Sequence, residues 1–173
     1  EGWKLSLGDT LLTSDTIFEL PDLPKSMAVV GAGAIGLELA QAMSRLGVEV
    51  VIFNRNNIVG GLRDEEINQK AIACFSNELD LRLNTTIDSV TRDESGDTPQ
   101  AVIHYTDADG KAQTWRGEKV LAATGRRNTL HTLGLEHVGV ELDKSNRPLN
   151  FNTVTGKIEG SNIYIVGDAN AYM

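Results

Sequence analysis

A chain of 173 residues, 40% hydrophobic and 23% charged, has the balance of a globular protein and the length for one domain with a sizeable core, or one domain plus part of another. A formal charge of −8 without any basic run excludes a nucleic-acid surface, because nothing gathers the cations that neutralise phosphates. No apolar run approaches a membrane span and no signal-peptide pattern opens the chain, so the expected location is the cytoplasm.

Residues 1–26 carry no strong periodicity. Within them Ser14–Leu20 reads as a capped helical turn or two stopped by Pro21, and residues 21–26 as a rigid linker. Met27–Val30 then forms a short buried strand, followed by Gly31, Gly33 and Gly36 in the order G-x-G-x-x-G. Ile35, Leu39, Met43 and Leu46 recur at helical spacing, which predicts an amphipathic helix ended at Gly47. Val48–Phe53 is the next strand and completes a βαβ unit.

That arrangement is what a pyrophosphate needs. Gly31 allows the tight turn, Gly33 lets the backbone approach the phosphates, and Gly36 lets helix pack on strand. The helix start adds free N–H groups and the positive end of its dipole. A dinucleotide site is therefore expected, against the plainer alternative of a glycine turn kept for packing.

A polar loop, Asn54–Asn57, precedes a helix that starts at Asp64–Glu66, where its dipole favours acids, and runs to about Asn77. Cys74 is the only cysteine, so no intrachain disulfide or dithiol centre can form. It falls among Ile67, Ala71 and Phe75, the expected buried stripe, as a small core hydrophobe. Leu81–Leu83 is a third strand, giving βαβαβ, half of a doubly wound parallel sheet.

The pattern then switches to an antiparallel meander over Ile87–Thr91, Ala101–Thr106 and Ala112–Arg116, with turns at residues 94–97 and 107–110. Lys119–Ala123 returns as a buried strand that ends at Thr124-Gly125-Arg126-Arg127. Beyond it, Val138–Leu142, Leu149–Asn150 and Asn162–Val166 are strand candidates in a tail expected to bury no core alone. His104, His131 and His137 lie in the meander and loops without a nucleophile or ligand partner, which points to surface roles. A start at Glu1 and an end just after a strand suggest a piece of a longer protein.

The joint order VVGAGAIGLELA, meander, LAATGRR, LGLE and IYIVGDAN resembles the flavoprotein disulfide oxidoreductases, and within them the dihydrolipoamide dehydrogenases. The resemblance implies a Rossmann-like NAD(P)-binding domain over residues 27–123, with residues 1–26 and 124–173 as parts of the FAD-binding domain. It aligns Gly31, Gly33, Ala34, Ile35 and Gly36 with the pyrophosphate turn, and Glu38 with a glutamate near nicotinamide and flavin. Ile87 aligns with an apolar contact on the adenine side, Gly125 with a backbone contact, and Asp168 with the aspartate on the ribityl chain of FAD. Plainer readings stand beside these: Glu38 complementing the helix dipole, Ile87 in the core, and Asp168 in an ordinary turn.

Departures from the family pattern bear on the cofactor. An NAD site expects an acid at the end of the second strand, and Asn54 stands there with Arg55 next; Asp64 comes too late. A missing carboxylate beside an arginine tolerates a 2′-phosphate, as in NADPH-dependent glutathione reductases. Their second arginine matches Gly61, so the clamp is incomplete, and Arg55 reads equally as a solvated loop residue. NAD and NADP both stay open. Asn128 and Thr129 also replace the usual proline and asparagine after the double arginine.

The FAD glycine motif, the redox cysteine pair and the dimerisation domain of the family do not appear in this chain. The resemblance thus implies a segment that positions nicotinamide against flavin within a homodimeric parent and is catalytically incompetent alone. Its partners are the dinucleotide and the remainder of its own FAD and dimerisation domains. A glutathione-reductase, mercuric-reductase or NADH-oxidase type of parent, or a non-catalytic nucleotide-binding module, are the alternatives.

Overall fold

Three strands of the chain are nearly continuous in apolar residues, which suits a parallel sheet covered on both faces. In the computed structural model, which describes residues 2–125 and 128–170, these are β2 (Ser26–Val30), β3 (Glu49–Phe53) and β8 (Lys119–Ala122). They join β1 (Leu11–Leu12) and β4 (Asp80–Arg82) in a five-stranded parallel sheet ordered β1-β8-β2-β3-β4. Register is set by Val30 opposite Phe53 on one side and Ala122 on the other.

The alternation along each strand divides the core. Met27, Val29, Val50, Ile52 and Leu121 face helices α2 (Ala34–Arg45) and α3 (Glu65–Ser76). Ala28, Val30, Val51, Phe53 and Val120 face the antiparallel sheet of β5 (Thr86–Asp93), β6 (Gln100–Thr106) and β7 (Ala112–Gly117). A short helix, α1 (Gly2–Leu7), packs with that second layer through buried Leu7. The α/β class, the βαβαβ half and the meander all match the expectation. Helix α1 and strand β1 do not follow from the pattern, since six residues and two are too short to show a period.

Helix phases differ from the expected stripes. On α2 the buried residues are Gly36, Leu37, Ala40 and Met43, while Leu46 is 62% exposed. Gly36 lies on the inward face, where a Cβ would meet the Gly31 carbonyl and the Ala123 side chain just past β2 and β8. On α3, Asn68 is buried and Ala71, Ile72 and Phe75 pack on the sheet, whereas Ile67 and Cys74 are exposed. Cys74 is therefore not a core residue. Helix ends behave as expected. Asp64 caps α3 by accepting from the Ile67 N–H at 3.0 Å, and Gly47 closes α2 with φ +94°.

The chain divides into two compact units, Glu1–Gly125 and Arg126–Met173. The second holds a small core of Leu130, Leu135, Val140, Ile158 and Ile165, so the tail buries more than expected. The expected strands there are absent among the described residues. Only isolated bridges form, Leu142 with Pro148, Phe151 with Ile158 and Lys157 with Tyr164, and Val138 lies in a 3-10 turn. Side chains divert the backbone: Asp143 accepts from the N–H groups of Ser145 and Arg147, and Asn152 from those of Val154 and Thr155. No helix among the described residues is long and apolar enough to cross a membrane.

Candidate dinucleotide site

At the carboxyl ends of β2, β3 and β8 lies a cleft of about 680 Å³. Ligands of open parallel sheets settle outside this edge, where neighbouring strands lead their connections in opposite directions. The turn after β2 forms the floor, and its glycines have three different reasons to be there. Gly31 has φ +108°, and a Cβ on it would lie 2.4 Å from the Ala123 carbonyl oxygen. A Cβ on Gly36 would lie 2.0 Å from the Gly31 carbonyl oxygen. Gly33 is the opposite case, with nothing within 4 Å of its would-be Cβ, because that direction is the open cleft.

Gly33 is also the N-cap of α2 and has no side chain to bond the first free N–H groups of the helix. The turn is held from behind. The Gly31 N–H donates to the Phe53 carbonyl at 2.8 Å, and the Gly60 N–H donates to the Ala32 carbonyl at 2.8 Å. The start of α2 thus meets the cleft at Gly33 without a side-chain cap, a setting suited to an anion.

Asn54, at the end of β3, is turned inward. Its Oδ1 accepts from the Ala32 N–H at 3.1 Å, and its amide donates to the carbonyls of Asn56 and Ile58 at 3.0 Å each. Asn68, buried on α3, holds the same loop from the other side: it donates to the Asn57 carbonyl at 2.8 Å and accepts from the Val59 N–H at 2.9 Å. Sequence patterning misses Asn68, since a polar residue inside a helical stripe carries no signal of what it bonds.

Of the residues expected at the site, Gly31, Gly33, Asn54, Arg55, Ile87 and Gly125 line the cleft. Ala34, Ile35 and Gly36 support it from the first turn of α2 without lining it, and Glu38 is exposed further along that helix. Asp168 falls in a 3-10 turn of the second unit, and its side chain is outside the described residues, as are Arg126 and Arg127. Trp3 of α1 also lines the cleft and went unforeseen, because residues 1–26 show no pattern.

Comparison with known proteins gives the chain its family. The description "Pyridine nucleotide-disulphide oxidoreductase" matches residues 4–173. The chain belongs to that family. Mitochondrial dihydrolipoyl dehydrogenase of Schizosaccharomyces pombe is 31% identical over 92% of this chain and 30% of its own length. The human mitochondrial dihydrolipoyl dehydrogenase is 34% identical over 92% of this chain and 31% of its own. Among solved structures, LpdA of Mycobacterium tuberculosis superposes with a TM-score of 0.73 at 29% identity, covering 94% of this chain and 33% of that one. The HOCl-induced flavoprotein disulfide reductase RclA of Escherichia coli, at 20% identity and a TM-score of 0.75 over 92% of this chain, shares the fold. The chain spans about a third of the length of these relatives.

In this pyridine nucleotide-disulphide oxidoreductase chain the side chains lining the cleft are apolar groups, hydroxyls, amides and one guanidinium. Such a set is suited to holding a polar ligand. Cys74 lies away from it on α3. The perturbed carboxylates are structural as well. The Lys111 backbone N–H foremost holds the Asp107 carboxyl below its usual range in a meander turn, and Arg45 does so for Glu78. Among the described residues no cluster of His, Cys, Asp or Glu is placed to hold a metal.

Proposed function

We propose that the unit Glu1–Gly125 holds NAD or NADP for an FAD-dependent oxidoreductase of the dihydrolipoyl dehydrogenase type. The observation that carries this reading is the contrast between Gly33, whose Cβ direction is open, and Gly31 and Gly36, whose Cβ directions are blocked by backbone. A turn kept only for packing has no use for an open glycine at an uncapped helix start. A bound nicotinamide dinucleotide supplies hydride transfer. The chain's own part is to seat the pyrophosphate on the α2 N-terminus and to fix where the rest of the cofactor lies. FAD, with Asp168 toward its ribityl chain and Glu38 near the flavin, and a homodimeric assembly belong to the whole protein in this reading. The chain alone binds and does not turn over.

The test is Gly33→Asp, followed by calorimetric titration with NADH and NADPH. Gly33 has φ −71° and ψ 178°, which any residue adopts, and aspartate is a better N-cap than glycine. Thermal stability is expected to hold or rise, while affinity falls at least about tenfold as a carboxylate meets phosphate. Wild-type affinity in the variant, or no binding by the wild type, would overturn the proposal.

A further inference from the structure

Trp3 lines the cleft from α1, a helix of six residues that precedes the βαβ core. A helix that short does not hold itself in water, so other contacts decide where Trp3 stands. Leu7, one turn further on, is fully buried in the core that the two sheets share. Beyond it the backbone is bonded from two strands. Arg92 of β5 donates to the Leu7 carbonyl at 3.3 Å, bonds the Asp9 carboxylate, and pairs through Nε with Glu94 at 2.9 Å. The Lys119 ammonium, at the start of β8, donates to the Asp9 carbonyl at 2.9 Å, and the Thr10 hydroxyl donates to the Leu7 carbonyl at 2.7 Å. Gly8 turns the chain there with φ +55°, and a Cβ on it would lie 2.7 Å from the Arg92 guanidinium. Residues 7–10 thus form a seat around one guanidinium, and Trp3 stands one helical turn outside it.

The seat presents an aromatic face to the cleft. Phe53 also lines the cleft but is 1% exposed, and its ring is taken up by Tyr105 at 4.7 Å, Trp115 at 6.5 Å and the Arg82 guanidinium at 5.5 Å. Trp3 is only half-buried, and its indole makes no ring contact or hydrogen bond with the described residues. It packs, as Ile87 does, against the cluster that contains Phe53. Phe53 leads into Asn54, at the strand end that meets the adenosine ribose in a βαβ nucleotide fold. The base on that ribose therefore has Ile87 and Trp3 for an apolar wall.

We infer that Arg92 is a positioning residue for the nucleotide: it lies outside the cleft, docks α1 onto β5, and so holds Trp3 where a base stacks on it. This rests on the nucleotide reading above and adds a linkage to it. A base that touches Trp3 only when α1 is docked stabilises docking by the same factor by which docking strengthens its binding.

The experiment uses the full chain with NADH and with adenosine 5′-monophosphate, read by calorimetry and by amide exchange. Each ligand is expected to slow exchange over residues 3–10. Trp3→Leu, which keeps apolar bulk without an aromatic face, should weaken both ligands at least about fivefold, and Trp3→Phe should keep most of the affinity. Arg92→Met should speed exchange over residues 3–10 in the free chain and weaken both ligands, and Arg92→Lys should restore part of each. Four results overturn the inference and leave dinucleotide binding intact. They are bound NADH that leaves exchange over residues 3–10 unchanged, NADH binding for which the monophosphate does not compete, equal losses in Trp3→Leu and Trp3→Phe, and wild-type affinity in Trp3→Leu or Arg92→Met. Binding of neither ligand by the wild-type chain overturns both.

Discussion

The glycines after β2 show how a single hydrogen in place of a methyl decides what a position can do. Gly36→Ala would drive a Cβ to 2.0 Å from the Gly31 carbonyl. Neither backbone can yield without opening the turn, so the variant is expected to lose about 2–3 kcal/mol or more of unfolding free energy. A denaturant midpoint equal to wild type would refute that. Glu78 makes a second residue-level prediction. Bonds from Arg45 foremost and Gln41 hold its carboxyl below the usual 4.5. A depressed pKa means stability that is present above the unfolded value and lost as pH falls through the folded one. Wild type should therefore melt above Glu78→Gln at neutral pH, with the gap closing below about pH 4. A constant gap down to strong acid would count against it. The tight turn at Gly31 and the close approach at Gly36 were legible in the sequence, because φ and contact restrict the residue type there. The inward turn of Asn54 was not, because it depends on the path of residues 56–58.

Among the elements, strands were read more reliably than helix faces. An apolar run such as Val50–Phe53 is buried on both sides, so no phase needs choosing. A helix must choose, and small residues mislead the choice. Gly36 and Ala40 add little hydrophobic signal yet sit at the closest contact of α2, whereas Leu46 adds much and is exposed. On α3 the buried Asn68 counts as polar in any pattern, which shifted the expected stripe toward Cys74. In the second unit the apolar alternation of Asn162–Val166 read as a strand, but Val166 is 77% exposed and pairing is limited to Tyr164 with Lys157. A pattern reports what a segment can bury; a ladder also needs a neighbour.

For the molecule as a whole, the two units differ in how their backbone bonds are organised. The first has a five-stranded and a three-stranded sheet, and the second has isolated bridges around five buried side chains. Cooperative opening follows such differences. Amide exchange is expected to be slowest in β2, β3 and β8 and clearly faster over residues 128–170. Equal protection throughout would show one cooperative unit instead.

Strand β8 enters the first sheet between β1 and β2, pairing Val120 with both Leu11 and Ala28. It is the last strand of that sheet to be synthesised and the one that links the edge strand β1 to β2. Until it arrives, β1 has no partner in the sheet, and Gly31 lacks the Ala123 carbonyl that crowds its turn. Strand pairing over such sequence separation is slow. Nucleotide capture during refolding should accordingly keep pace with the final closure of the sheet and lag behind formation of the β2-α2-β3 unit. The cleft is thereby a reporter of sheet closure in the first unit, and a ligand present during synthesis acts only after β8 has joined that sheet.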